Sequence, residues 1–245
     1  TSFAAPQVTG TAALLLEKYP WMSNNTLRTT LLTTGTDLGA LGVDSVYGWG
    51  LLNVGKAING PAQFAFGNFN ATTDGGTYTF SNNIGGAGGL IKNGGGNLIL
   101  SGNNTYSGDT QINSGALTVN HSTSNHNVAS GATLIATDAT IGSVNNNGTV
   151  TAKNTGMSIN GNFVQSANAR LNTDLGSRIA VTGTASLAGS LYFDGVRTAY
   201  TPTVGTTQTV LTANGVTGQF TLGSNPSLML QGNLAYTNNA VNLNL

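Results

Sequence analysis

The chain has 245 residues, with 8 Lys and Arg against 8 Asp and Glu, 35 Gly, 5 Pro and no Cys. Zero net charge with so few bases argues against a nucleic-acid partner, because phosphate binding needs clustered Lys and Arg. The missing Cys remove disulfides and thiolate metal sites, and only two histidines, His121 and His126, are left for imidazole chemistry. No apolar run approaches the roughly 18–20 residues of a membrane-spanning helix.

Residues 1–60 carry both tryptophans and the helical periodicity. Val8, Ala12, Leu15, Leu16 and Tyr19 recur at spacings of three and four, which puts them on one face of a helix. Pro6 suits its opening turn and Pro20 stops it after Tyr19. The small residues Ala4, Ala5, Gly10 and Ala13 invite close packing, so this helix is expected to be central rather than superficial. A second helix starts at Ser23 as N-cap and runs through Leu27, Leu31 and Leu32 to Gly35. A short third one starts at Asn53 and carries Val54, Ala57 and Ile58. Asn59-Gly60-Pro61 then marks a boundary by its turn chemistry.

Beyond it the chain mixes Gly, Asn, Thr, Ser and Ala with short apolar alternations. Leu98-Ile99-Leu100, Ile112, Leu117-Thr118-Val119, Leu134-Ile135, Val150, Ile159 and Leu187 to Leu191 are strand-forming pieces. Gly94-Gly95-Gly96, Ser101-Gly102-Asn103-Asn104, Asn145-Asn146-Asn147-Gly148 and Asn160-Gly161-Asn162 read as turns between them. Leu117, Leu134 and Val150 recur at roughly 16–17 residues, which suits a β-solenoid whose coils bury their apolar faces on one another. A closed barrel would alternate over longer strands, and a disordered tail would have little reason to place Leu, Ile and Val so regularly.

Ser2 stands just ahead of the first helix, where the partial positive charge of free N–H groups favours negative charge nearby. Taken alone, a Ser there is a helix cap. The histidines lie in the polar stretch His121 to Asn127, expected to be a solvated loop that offers Ser2 no base. Asp37 and Asp44 flank a Gly-rich loop and read as solvated carboxylates rather than a cation site. Asp138 and Asp174 have no partner pattern, so the paired carboxylates of a glycosidase are lacking. Thr1 as an N-terminal nucleophile has no support in the strand-rich remainder.

Thr1-Ser2-Phe3-Ala4-Ala5-Pro6 followed by a Leu-rich helix resembles the nucleophile motif of the subtilisin-like serine proteases, in which a Gly precedes the Thr. Ser2 matches the attacking residue, Ala4 the small residue and Pro6 the proline; Gln7 stands where many members have His. The likeness continues through Leu27-Arg28, Leu31, Tyr47-Gly48-Trp49-Gly50-Leu51-Leu52-Asn53 and Gly55-Lys56-Ala57. Gly89 to Val119 resembles the passenger-associated repeat of bacterial autotransporters, which folds as rungs of a right-handed parallel β-helix. The two resemblances imply a mixed fold: the C-terminal helices of a subtilisin-like α/β protease domain at 1–62, a transition at 63–88 and a β-helix stem at 89–245.

The activity they imply is that of a secreted serine endopeptidase acting on proteins or peptides, with Ser2 as nucleophile. Its His and Asp would come from an upstream segment absent from this chain, and a membrane β-barrel translocator would follow downstream. The expected location is the surface or surroundings of a Gram-negative bacterium, with no cofactor and calcium at most structural. A non-catalytic surface β-helix, an adhesin or spacer, is the alternative.

Overall fold

The structure, a computed structural model, describes residues 2–225, 228 and 232–245. It opens with three helices, α1 (Ala4–Lys18), α2 (Asn24–Thr33) and α3 (Val54–Ala57). Pro6 falls in the first turn of α1, where backbone N–H groups have no intrahelical acceptor. Ser23 caps α2, its Oγ accepting from the Thr26 N–H at 3.3 Å, and Asn53 caps α3, its Oδ1 accepting from the Lys56 N–H at 2.9 Å. Thr29, Thr30, Thr33 and Thr34 donate their hydroxyls to carbonyls one turn back at 2.7–2.8 Å, which is how so Thr-rich a helix end tolerates burial.

The expectation that the first helix is central is corrected. Only Thr11 and Leu15 of α1 are buried, together with Tyr19 just after it. Ala4, Ala5, Gly10 and Ala13 are all exposed, because within the described residues only one edge of the helix has a partner, formed by α2 and α3.

The rest is a parallel β-helix. Its first coil holds β1 (Phe69–Thr72) and β2 (Thr77–Phe80), so coil pairing begins inside residues 63–88. The second holds β3 (Leu90–Asn93) and the long β4 (Asn97–Asn104), the third β5 (Thr110–Ile112) and β6 (Ala116–Ser122). Three-stranded coils follow: β7 (His126–Val128), β8 (Thr133–Ile135) and β9 (Ala139–Ile141); β10 (Val144–Asn146), β11 (Thr149–Ala152) and β12 (Gly156–Ile159). The next are β13 (Phe163–Gln165), β14 (Arg170–Leu175) and β15 (Arg178–Val181); then β16 (Ala185–Leu187), β17 (Ser190–Val196) and β18 (Thr207–Thr212). β19 (Val216–Gly218) and β20 (Thr221–Leu222) begin another turn, and β21 (Asn233–Tyr236) with β22 (Ala240–Asn244) form a hairpin.

Pairing at a distance of one coil turns the sequence pattern into columns. Tyr78, Leu98, Leu117, Leu134, Val150, Leu171, Leu191 and Leu222 are in register, one above the next. From Leu98 to Leu191 every member is fully buried, and each such side chain contributes about 1.5–3 kcal/mol as an upper figure. The turn chemistry matches: Gly94, at φ +79°, follows β3 where a Cβ would stand 1.8 Å from the Thr73 carbonyl oxygen.

Three sequence expectations are corrected here. Ser101 to Asn104 and Asn145-Asn146 are strand, not turn: they belong to β4 and β10, with Asn104 and Asn146 fully buried. The stretch from His121 is not a solvated loop, since His121 is in β6 and His126 opens β7 with no exposed surface. The stem does not stay parallel to its end. β22 runs antiparallel to both β18 and β21, turning at Thr237–Asn239, so the last edge of that face is covered by a hairpin rather than by another coil.

Candidate functional site

Ser2 lies exposed in the turn before α1. The N-cap position belongs to Phe3, which has no side-chain cap, and the Ser2 hydroxyl has no partner among the described residues. The hydroxyl is therefore not occupied as a helix cap. It is open to a reaction partner at the positive end of a 15-residue helix.

The segment from Tyr47 to Asn53 is shaped by two backbone approaches. Thr36 and Leu51 exchange both N–H···O bonds, at 2.7 and 2.8 Å, in an isolated antiparallel bridge. Gly50, at φ +87°, sits against that bridge, where a Cβ would fall 2.1 Å from the Thr36 carbonyl oxygen. Asn53 closes the arrangement, donating Nδ2 to Thr36 Oγ1 at 3.0 Å while its Oδ1 caps α3. Arg28 stacks over Phe66 at 4.4 Å from the ring centroid, and Trp49 packs on the same ring at 5.4 Å, tying the helices to the approach of the first coil.

Asp37 and Asp44 serve the intervening loop. Asp37 Oδ2 accepts from the Gly42 N–H at 2.8 Å, and Asp44 Oδ1 accepts from the Val46 and Tyr47 N–H groups at 2.7 Å. The Tyr47 and Val46 donors hold the Asp44 carboxyl below its ordinary range. Asp138 and Asp174 meet around one turn: Asp138 accepts from Thr155 and Asn154, and Asp174 Oδ2 from the Asn154 N–H at 3.1 Å. Among the described residues no group of three His, Asp or Glu gathers as a metal site.

Neither histidine is brought to Ser2. His121 pairs in register with Asn103 and Thr140 on the third face, and His126 is sealed inside the coil. Burial lowers the His126 pKa to about 4, opposed only in part by the Ser124 carbonyl and the Asp109 charge, so the ring is neutral at pH 7. Sequence reasoning also missed Lys92. It occupies the interior column between Ala71 and Ile112, its Nζ donating to the carbonyls of Asn93, Gly94 and Ser114 at 2.9–3.1 Å. A Lys beside a Gly triplet looks like surface; only the neighbouring coil supplies the carbonyl of Ser114.

Residues 1–50 match the Subtilase family and residues 90–119 the Passenger-associated-transport-repeat. Neisserial autotransporter lipoprotein NalP of Neisseria meningitidis serogroup B is 50% identical over 204 residues, 78% of this chain and 19% of that protein. An Extracellular serine protease of Serratia marcescens is 34% identical over 178 residues, 58% of this chain and 17% of that protein. Subtilisin DY of Bacillus licheniformis is 50% identical over 58 residues, 23% of this chain and 20% of that enzyme. The chain thus spans no more than a fifth of these relatives' length. The helices at the front are thus similar to the end of a subtilase domain, and the parallel β-helix carries a repeat similar to that of autotransporter passengers, an order that the chain shares with its autotransporter relative over 78% of its own length.

Proposed function

We propose that the chain is the C-terminal portion of a secreted serine endopeptidase in which Ser2 is the nucleophile and the β-helix is stem and folding scaffold. The observation that carries the reading is the free Ser2 hydroxyl at the start of α1, inside the segment that matches subtilases. A serine hydroxyl is weak alone and needs an oriented base. A His held by an Asp, both on upstream polypeptide, would take the Oγ proton as Oγ attacks the peptide carbonyl carbon. The same His would return that proton to the departing amine, and water would then hydrolyse the acyl-serine. Backbone N–H groups at the helix start would hold the oxyanion.

The exposed apolar side chains of α1 support an upstream partner. Phe3 is 87% exposed, and Val8, Leu14 and Leu16 are more than 40% exposed, an apolar surface that a subtilase core would cover. The names of the relatives, an autotransporter lipoprotein and an extracellular protease, favour export to the surface or surroundings of a Gram-negative cell. Peptide or protein substrates and a downstream membrane β-barrel translocator follow from the same reading.

A fluorophosphonate probe tests it on the polypeptide that includes the upstream segment. Labelling at Ser2, abolished by Ser2→Ala, is the expected result. A folded, intact polypeptide that takes no label would leave a non-catalytic stem instead.

A further inference from the structure

We infer that the first coil of the β-helix is a positioning element for Ser2, acting through a clamp on Tyr19 at the opposite end of α1. The inference rests on Ser2 being the nucleophile and concerns what holds it in place. Tyr19 is fully buried, and its hydroxyl lies 2.9 Å from the Ile58 carbonyl and 2.8 Å from the Thr79 carbonyl. One proton is therefore shared between the end of α3 and strand β2. Burial pushes the hydroxyl pKa up to about 12, so the donor keeps that proton across the working range of pH. The ring is held edge-on by Phe80 of β2 at 5.2 Å and by Trp21 at 6.2 Å. Lys18 Nζ adds a bond to the same Ile58 carbonyl at 2.7 Å.

Coil and α3 are themselves locked together. Asn82 Nδ2 donates to the Lys56 and Gly60 carbonyls at 2.8 and 2.6 Å, and the Ser81 N–H to the Asn59 carbonyl at 2.9 Å. The other end of α1 is bare, residues 2–10 being exposed. Within the described residues, the helix that starts beside Ser2 is anchored from its middle to its C-terminal end. A helix of 15 residues is about 22 Å long. A tilt of about 5° at its foot would move its tip by about 2 Å, where a displacement of about 1 Å can cost on the order of 100-fold in rate. Upstream contacts would restrain the tip as well, so release of the clamp is expected to cost less than that limit.

The test uses the polypeptide with its upstream segment. Tyr19→Phe keeps the ring and removes the shared proton; Lys18→Met removes the neighbouring bond from an exposed side chain. Turnover of a short chromogenic peptide gives kcat and KM, and fluorophosphonate labelling gives the reactivity of Ser2 directly. The clamp predicts that Tyr19→Phe lowers kcat about tenfold with KM within twofold, that labelling slows in step, and that Lys18→Met moves both the same way by less. Phe163→Leu, in β13 well along the stem, should leave kcat unchanged. An unchanged kcat in folded Tyr19→Phe overturns the clamp, as does a rise in KM alone. If Tyr19→Phe does not fold, a wild-type kcat and labelling rate in Lys18→Met overturns it. Wild-type polypeptide that takes no label at Ser2 overturns the nucleophile itself and the clamp with it; labelling that Tyr19→Phe does not slow overturns the clamp alone.

Discussion

His126 stacks in register on Thr110 inside the β-helix, the imidazole fully buried beside a chain of hydroxyls that satisfy one another. Thr110 Oγ1 lies 2.7 Å from the Tyr106 hydroxyl and 2.8 Å from Ser124 Oγ, and Ser124 Oγ lies 3.0 Å from Ser122 Oγ. Both nitrogens of His126 are left without a hydrogen bond of good geometry. The ring thus behaves as a core side chain whose protonated form is excluded.

That exclusion makes the stem acid-sensitive. The folded pKa of His126 is lowered to about 4 from its ordinary 6.5, so the stabilisation is complete above pH 6.5 and is lost as the pH falls towards 4. At pH 5 about 2 kcal/mol should be gone relative to pH 7.5. Asp44, Asp74 and Asp138 have pKa values below 3.8, so their own losses set in at lower pH. Urea unfolding at the two pH values, compared with His126→Leu, isolates the effect: the variant should show little change over this range. An equal acid loss in the variant would place the sensitivity elsewhere.

Asn146 shows the opposite case, a buried amide whose bonds are all made. Its Nδ2 donates to Gln165 Oε1 at 2.9 Å and to the Arg170 carbonyl at 3.0 Å, and its Oδ1 accepts from the Gly148 N–H at 3.0 Å. Asn146→Leu adds apolar volume yet strands these partners, and it should destabilise the chain by about 3 kcal/mol. Adding Gln165→Leu should restore only part of this, because the carbonyls of Ala188 and Ser190 then lose the Nε2 donor. Chemical denaturation of the single and double variants decides the point; a neutral Asn146→Leu would show that the ladder is relaxed or wet.

These two residues also mark where the sequence stops being legible. The columns through Leu117, Leu134 and Val150 could be read because apolar side chains announce their own burial. The caps at Ser23 and Asn53 could be read because their partners lie three residues away. Asn146, His126 and Lys92 looked like turn or surface. The groups that make their burial tolerable, or leave it costly, are on other coils some twenty positions distant. Ser2 stood out through its motif, not its composition, and the exposure of α1 was hidden because apolar side chains at spacings of three and four read as a buried face whether or not a partner covers them. The closing hairpin was missed since β22 alternates like any other strand; direction leaves no mark on periodicity.

The column itself predicts a local failure. Leu134 is fully buried between Leu117 and Val150, so Leu134→Ala should cost about 2–5 kcal/mol. Coils contact mainly their neighbours, and the loss should therefore appear first as faster amide exchange in β6, β8 and β11. Protection in β1, β3 and the β21–β22 hairpin should persist at denaturant concentrations that open the middle. Uniform loss of protection along the chain would instead show a single cooperative unit.

Two glycines in one motif separate backbone conformation from backbone contact. At Gly48 (φ +59°) an added methyl would have nothing within 4 Å, whereas at Gly50 (φ +87°) it would meet the Thr36 carbonyl oxygen at 2.1 Å. Gly48→Ala should then cost only the left-handed penalty of about 1–2 kcal/mol. Gly50→Ala must also part the Thr36–Leu51 bridge, and with it the Nδ2 bond to Thr36 Oγ1 from Asn53, the residue whose Oδ1 caps α3. Its cost should exceed that of Gly48→Ala by at least about 2 kcal/mol, since backbone bonds are broken as well. Trp49 fluorescence on thermal unfolding, and protease cutting between residues 37 and 47, report the two separately. Because Ile58, whose carbonyl Tyr19 grips, directly follows α3, equal melting of the two variants would mean that this bridge does not support the junction between the helices and the first coil.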